Sequence, residues 1–124
     1  MGITEPEHLH QHFTSAFNSG DLDAVMKLYE ADAALAPQPG QVTRGLSANR
    51  QALQQFMALK GRIDIKTVYV IRAGDLALLR GEWRLIGTGP DNKPVEMNGK
   101  NVEVARRQPN GGWLFAIDHP YGAT

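Results

Sequence analysis

The stretch FNSGDLDAVMKLYEADAAL, Phe17 to Leu35, decides the fold. It reads as the end of one helix, a tight Asn18-Ser19-Gly20 break, a second short helix capped by Asp21, and entry into a strand at Ala33 to Ala36. Leu22, Val25, Met26 and Tyr29 make one apolar face of the second helix, with Tyr29 at its end.

Upstream, Leu9, Phe13, Ala16 and Phe17 recur at helical spacing. Thr4-Glu5-Pro6-Glu7 has the form of a capping box, with Pro6 tolerated in the first turn. Downstream, Pro37, Pro39 and Gly40 break the strand. A third helix is predicted over Ser47 to Leu59, with Leu53, Phe56 and Met57 inward and Gly61 at its C-terminal end.

After Gly61 the period changes from helix to strand. Ile63, Ile65, Val68, Val70 and Ile71 are β-branched. Gly74-Asp75 is a turn, and Leu76 to Ile86 a long strand with Gly81 as a bulge candidate. Val95 to Arg107 and Trp113 to His119 form the last pair, joined through Asn110-Gly111. Helices first and an antiparallel meander afterwards is an α+β pattern in a single domain over residues 1–124.

Thirteen basic and thirteen acidic residues cancel, so nothing in the charge points to nucleic acid or an anionic membrane. The chain has no cysteine, which excludes disulfides, thiol catalysis and cysteine-bound metal. MGITEPEHLHQHF carries no apolar run of a signal peptide, and no stretch is long enough to cross a bilayer. The expectation is a cytoplasmic protein.

The order of elements, together with SGDLDAVMKLYEADAAL and NGGWLFAIDHP, resembles the SnoaL-like and ketosteroid-isomerase-like proteins of the nuclear transport factor 2-like superfamily. The resemblance covers nearly the whole chain. It implies a cystatin-like cone, in which a curved antiparallel sheet wraps three N-terminal helices and leaves a pocket. It also implies a homodimer through the outer sheet face. Its members include isomerases, cyclases, dehydratases and non-catalytic binding modules, so the fold leaves the activity open.

Carried over residue by residue, the isomerase arrangement is incomplete. Phe13 stands where the family has its helical tyrosine, and Pro37 where it has its general base. Glu103 matches the sheet aspartate and keeps a carboxyl. The register of the last hairpin then decides how Glu103 is placed. With Asn110-Gly111 at the centre of the turn, Glu103 faces Asp118 across the strands. With a one-residue bulge, Asp118 pairs with Val102 instead. Facing carboxylates in an enclosed site would titrate jointly and serve as acid and base. The alternative is that both face solvent or a partner subunit.

The candidate site is therefore Glu103 as general acid/base with Asp118 tuning it, and a pocket of Phe17, Tyr29, Phe56, Trp83, Met97 and Asn101. Its expected occupant is a small organic molecule, with no cofactor and no metal. The reaction class would be isomerisation, cyclisation, hydration or dehydration; the alternative is a ligand-binding or association module. His8 and His12 sit four apart on the first helix, but no third ligand accompanies them. His119 points away from Asp118, since strand neighbours take opposite faces. In the facing register Val102, Val104, Phe115 and Ile117 share the outer, dimer-forming face.

Overall fold

The computed structural model describes residues 2–124. A short 3-10 turn, Pro6–His8, leads into α1 (Leu9–Asn18), followed by α2 (Leu22–Met26). β1 (Tyr29–Leu35) and the two-residue β2 (Thr43–Arg44) precede α3 (Leu46–Met57). Four long strands complete the chain: β3 (Arg62–Ala73), β4 (Leu76–Thr88), β5 (Pro94–Arg107) and β6 (Trp113–His119).

The fold is α+β, a curved six-stranded sheet that does not close, in the order β2-β1-β6-β5-β4-β3. Neighbours are antiparallel except β1 and β6, which pair in parallel. Leu9, Phe13 and Phe17 of α1 and Leu53 of α3 pack into one core with Leu79, Leu85, Ala105 and Phe115 of the sheet. Asn18 fixes α1 against β3, donating to the Ile63 carbonyl at 2.9 Å and accepting from the Ile63 amide at 2.8 Å. Asn49, buried in the first turns of α3, donates to the Ala33 carbonyl of β1 at 2.8 Å.

Several local expectations are corrected. The Thr4 capping box does not form: Glu5 is the N-cap residue, extended and without a side-chain cap bond. Pro6 restricts its predecessor to extended backbone, so the helical turn cannot reach back to Thr4. Helix α2 stops at Met26, and Tyr29 opens β1 instead of ending the helix. The left-handed residue after α3 is Lys60 (φ 49), not Gly61. Gly61 serves close approach: a Cβ there would lie 2.3 Å from the Ile86 carbonyl oxygen.

The β5–β6 hairpin contains both registers that the sequence allowed. Beside the turn, Arg107 pairs with Trp113 and Ala105 with Phe115; beyond it, Val104 pairs with Ile117 and Glu103 with Asp118. Ala116 is the extra residue between them. Near the site the facing register holds, and the bulge absorbs the offset created at the turn. Its consequence is a correction: Phe115 is buried on the inner face rather than exposed beside Val102, Val104 and Ile117.

Candidate functional site

Four strand positions and one helix position converge on the inner face. Alternation along β5 turns Asn101, Glu103 and Ala105 inward, all buried. The hairpin register sets Asp118 of β6 across from Glu103. The parallel pairing sets Leu35 of β1 beside Asp118, and the same strand begins with Tyr29. From α1, His10 descends onto this group.

The polar contacts form a cluster around Glu103, with the Tyr29–Asp118 pair set beside it by the hairpin register. His10 Nε2 meets Glu103 Oε1 in a very short contact. The Asn101 amide nitrogen donates to both Glu103 oxygens, at 2.9 and 2.8 Å. The Tyr29 hydroxyl donates to Asp118 Oδ2 at 2.5 Å. On its far side, His10 Nδ1 lies 2.8 Å from the Thr67 hydroxyl. Among the described residues, Asn101 Oδ1 is buried without a hydrogen-bond partner.

Gly81 makes this packing possible. It pairs with Thr67 of β3 on one side and Asn101 of β5 on the other. A Cβ at Gly81 would sit 2.9 Å from both amide atoms of Asn101. The side chain that grips Glu103 therefore lies where any larger residue would intrude. The expected bulge is real but falls on β3, where the pairing shifts between Thr67 and Tyr69, opposite Gly81.

Burial pushes the Asp118 carboxyl well above its ordinary range, and the facing Glu103 adds to the shift. The hydrogen bond from Tyr29 acts in the opposite direction. Burial, then the charge of Asp118, pushes the Tyr29 phenol well above its usual value, so it remains a donor. Glu103, by contrast, is surrounded by groups that donate to it.

A pocket opens over this network, with a cavity volume of about 60 Å³. That is well below the roughly 300–1,000 Å³ of drug-sized ligand sites, which favours a compact occupant. Phe13, Phe17, Phe56, Trp83 and Phe115 provide aromatic walls, and Leu35, Leu53, Ile63 and Leu85 aliphatic ones. The polar lining is His10, Asn101, Glu103 and Asp118. Trp83 is held in place by its indole, which donates to the Pro120 carbonyl at 2.7 Å.

Of the residues singled out in the sequence, Phe17, Phe56, Trp83, Asn101, Glu103 and Asp118 line this pocket. Two do not. Met97 packs half-buried against the core, and Tyr29 stands behind Asp118, reaching the pocket only through that carboxyl. Asp118, expected as the residue that tunes Glu103, is itself pushed well above the ordinary carboxyl range by burial. His12 is exposed on α1, and His8 is exposed on the 3-10 turn that precedes it. Among the described residues no group of three His, Asp or Glu side chains is placed to hold a metal.

His10 is the residue that sequence reading missed. It lies on one helix face with Phe13 and Phe17, three and seven positions on, and that spacing was its available signal.

The profile of a SnoaL-like domain matches residues 9–113. No curated protein matches this chain. Among solved structures, a ketosteroid isomerase-like protein from Erwinia carotovora atroseptica superposes with a TM-score of 0.79 at 19% identity, covering 91% of this chain and 89% of that one. A candidate calcium/calmodulin-dependent protein kinase type II association domain from Thiobacillus denitrificans gives 0.77 at 21% identity, covering 96% and 95%. A candidate dehydratase of the nuclear transport factor 2-like family from Streptomyces avermitilis gives 0.74 at 22% identity, covering 94% of each chain. At these identities the likeness is one of fold.

Proposed function

The chain belongs to the SnoaL-like family, and we propose that it is an acid–base enzyme acting on a compact, uncharged, largely apolar organic molecule. The observation that carries this reading is the facing pair Glu103 and Asp118, both buried in an apolar pocket, where burial pushes Asp118 strongly toward its neutral form. Two facing buried carboxyls cannot both ionise cheaply, and such a pair can supply an acid and a base in one site.

Glu103, fixed by His10 and Asn101, takes a proton from the bound molecule. Asp118, as the neutral acid, donates to an oxygen where negative charge develops. Tyr29 stabilises the aspartate that remains, because its hydroxyl already points at Oδ2. Asn101 Oδ1 recognises a hydroxyl or N–H of the substrate, since an unpartnered buried acceptor gains most from a donor. The chemistry is proton transfer leading to isomerisation, cyclisation, hydration or dehydration, carried by the chain's own side chains. A cytoplasmic homodimer is the assembly we propose with it.

The test is deuterium incorporation from D2O into a panel of small cyclic ketones such as cyclohexanone, followed by NMR. Exchange catalysed by the native chain and lost in Asp118→Asn and Glu103→Gln supports the reading. Binding of the panel without exchange would leave a ligand-binding module instead.

A further inference from the structure

A second hollow lies on the other side of His10. It is a polar groove between α1 and β3, lined by Glu7, Gln11, Thr14, Asn18, Asp64 and Thr67, and it is open to solvent. His10 lines both this groove and the apolar pocket, although its own side chain is almost fully buried. Its two ring nitrogens point to different sides: Nε2 to Glu103 in the pocket, Nδ1 to the hydroxyl of the exposed Thr67.

An apolar pocket filled by an apolar ligand has no water through which a base could exchange protons. The general base here nevertheless touches a group with a second, wet outlet. We propose that His10 and Thr67 form a proton relay that connects Glu103 to the α1–β3 groove, independent of the pocket mouth. This goes beyond the acid–base reading and rests on it only for the use made of the proton.

The transfers balance. At rest Nε2–H donates to the Glu103 carboxylate and Nδ1 accepts from the Thr67 hydroxyl. Inward, the Nε2 proton moves to Glu103, Nδ1 takes the hydroxyl proton of Thr67, and a groove water replaces it. Outward, the carboxyl proton of Glu103 returns to Nε2, the Nδ1 proton passes to Thr67, and the hydroxyl releases its own to water. One inward and one outward passage restore the starting tautomer. A reaction in which Glu103 first gives up the proton delivered from the groove and later takes one from the substrate resets the relay each turn.

The experiment follows the His10 ring proton in protein labelled with 15N-histidine, measuring its exchange with water by NMR. Toluene serves as the probe that fills the pocket. In the native chain, exchange should persist with toluene bound. Thr67→Val, nearly isosteric but without the hydroxyl, should slow it by about tenfold, the worth of one hydrogen bond. Thr67→Ser should restore it, which a purely structural role for the methyl group would not. Unchanged exchange in Thr67→Val, or native exchange blocked by toluene alone, would overturn the relay. If toluene fails to bind, the pocket reading suffers instead, and the valine–serine comparison without toluene still decides the relay.

Discussion

Glu103 and Asp118 are direct cross-strand partners on β5 and β6, both buried on the same face of the sheet. Two carboxylates so placed cannot both ionise cheaply, and Asp118 is the one held toward its neutral form. Its folded pKa lies above the unfolded value near 3.8. The stability this contributes is therefore complete below that value, and it is lost as pH rises through the folded value. Asp118→Asn removes the loss and places an amide donor toward Glu103. Urea unfolding at about pH 5 and about pH 8 should show native stability falling across the interval and the variant nearly flat. At the higher pH the variant should be at least as stable as the native chain. A steeper fall in the variant would contradict the assignment.

Tyr29 acts against that shift, since its hydroxyl donates to Asp118 Oδ2 and favours the carboxylate. Tyr29→Phe should raise the Asp118 pKa further, read by carbon NMR of the carboxyl. It should cost about 1–1.5 kcal/mol in stability through the lost hydrogen bond. A downward movement of the Asp118 titration would show that the phenol does not stabilise the charged form.

The residues of this site differ in how openly the sequence displayed them. Asn101 and Glu103 were legible because strand alternation fixes a face once one residue is placed. Asp118 depended on the hairpin, and the Asn110-Gly111 turn alone left two registers open. The decisive bulge at Ala116 is written only in the run Phe115-Ala116-Ile117, which breaks alternation. Tyr29 was assigned to the helix because its spacing from Val25 and Met26 is helical. It reaches Asp118 through the parallel pairing of β1 with β6, a contact between distant segments that no local period records. The fold itself was legible because all helical periods precede Gly61 and the long run from Arg62 to His119 is strands and turns throughout, with only the short β1 and β2 among the helices.

Gly81 was legible as a special position but not for its actual reason. It leaves room for the Asn101 amide, which a Cβ would approach to 2.9 Å. Gly81→Ala should destabilise by about 1–3 kcal/mol through overpacking. It should also displace Asn101 from Glu103, visible as a changed Asn101 side-chain amide resonance. Full retention of that resonance, with native stability, would show that the amide has slack to move.

On the outer face, Ile117, Val104, Leu78 and Ile71 form one cross-strand row over four strands. Ile117 is 48% exposed and Ile71 56% exposed. We propose this apolar row as the surface of a twofold contact with a second copy. Sedimentation should show a dimer for the native chain and a monomer for Ile117→Lys, with the pocket intact in both. A native monomer at high protein concentration would dismiss the contact.

His10 and Glu103 should behave as one energetic unit. Removing the imidazole leaves Glu103 buried and facing Asp118 with only the Asn101 amide as donor. His10→Ala should therefore cost about 3–5 kcal/mol, the loss expected when a buried pair is broken from one side. In a Glu103→Gln background the stranded charge is absent, and the same substitution should cost roughly 1–2 kcal/mol more than packing alone, as for a neutral hydrogen bond. The difference between the two costs, taken from a double-mutant cycle of urea unfolding, is the coupling energy. A clearly positive coupling places the helix histidine and the strand carboxyl in one charged network. Additive costs would mean that His10 contributes only volume, and that Glu103 relies on Asn101 alone.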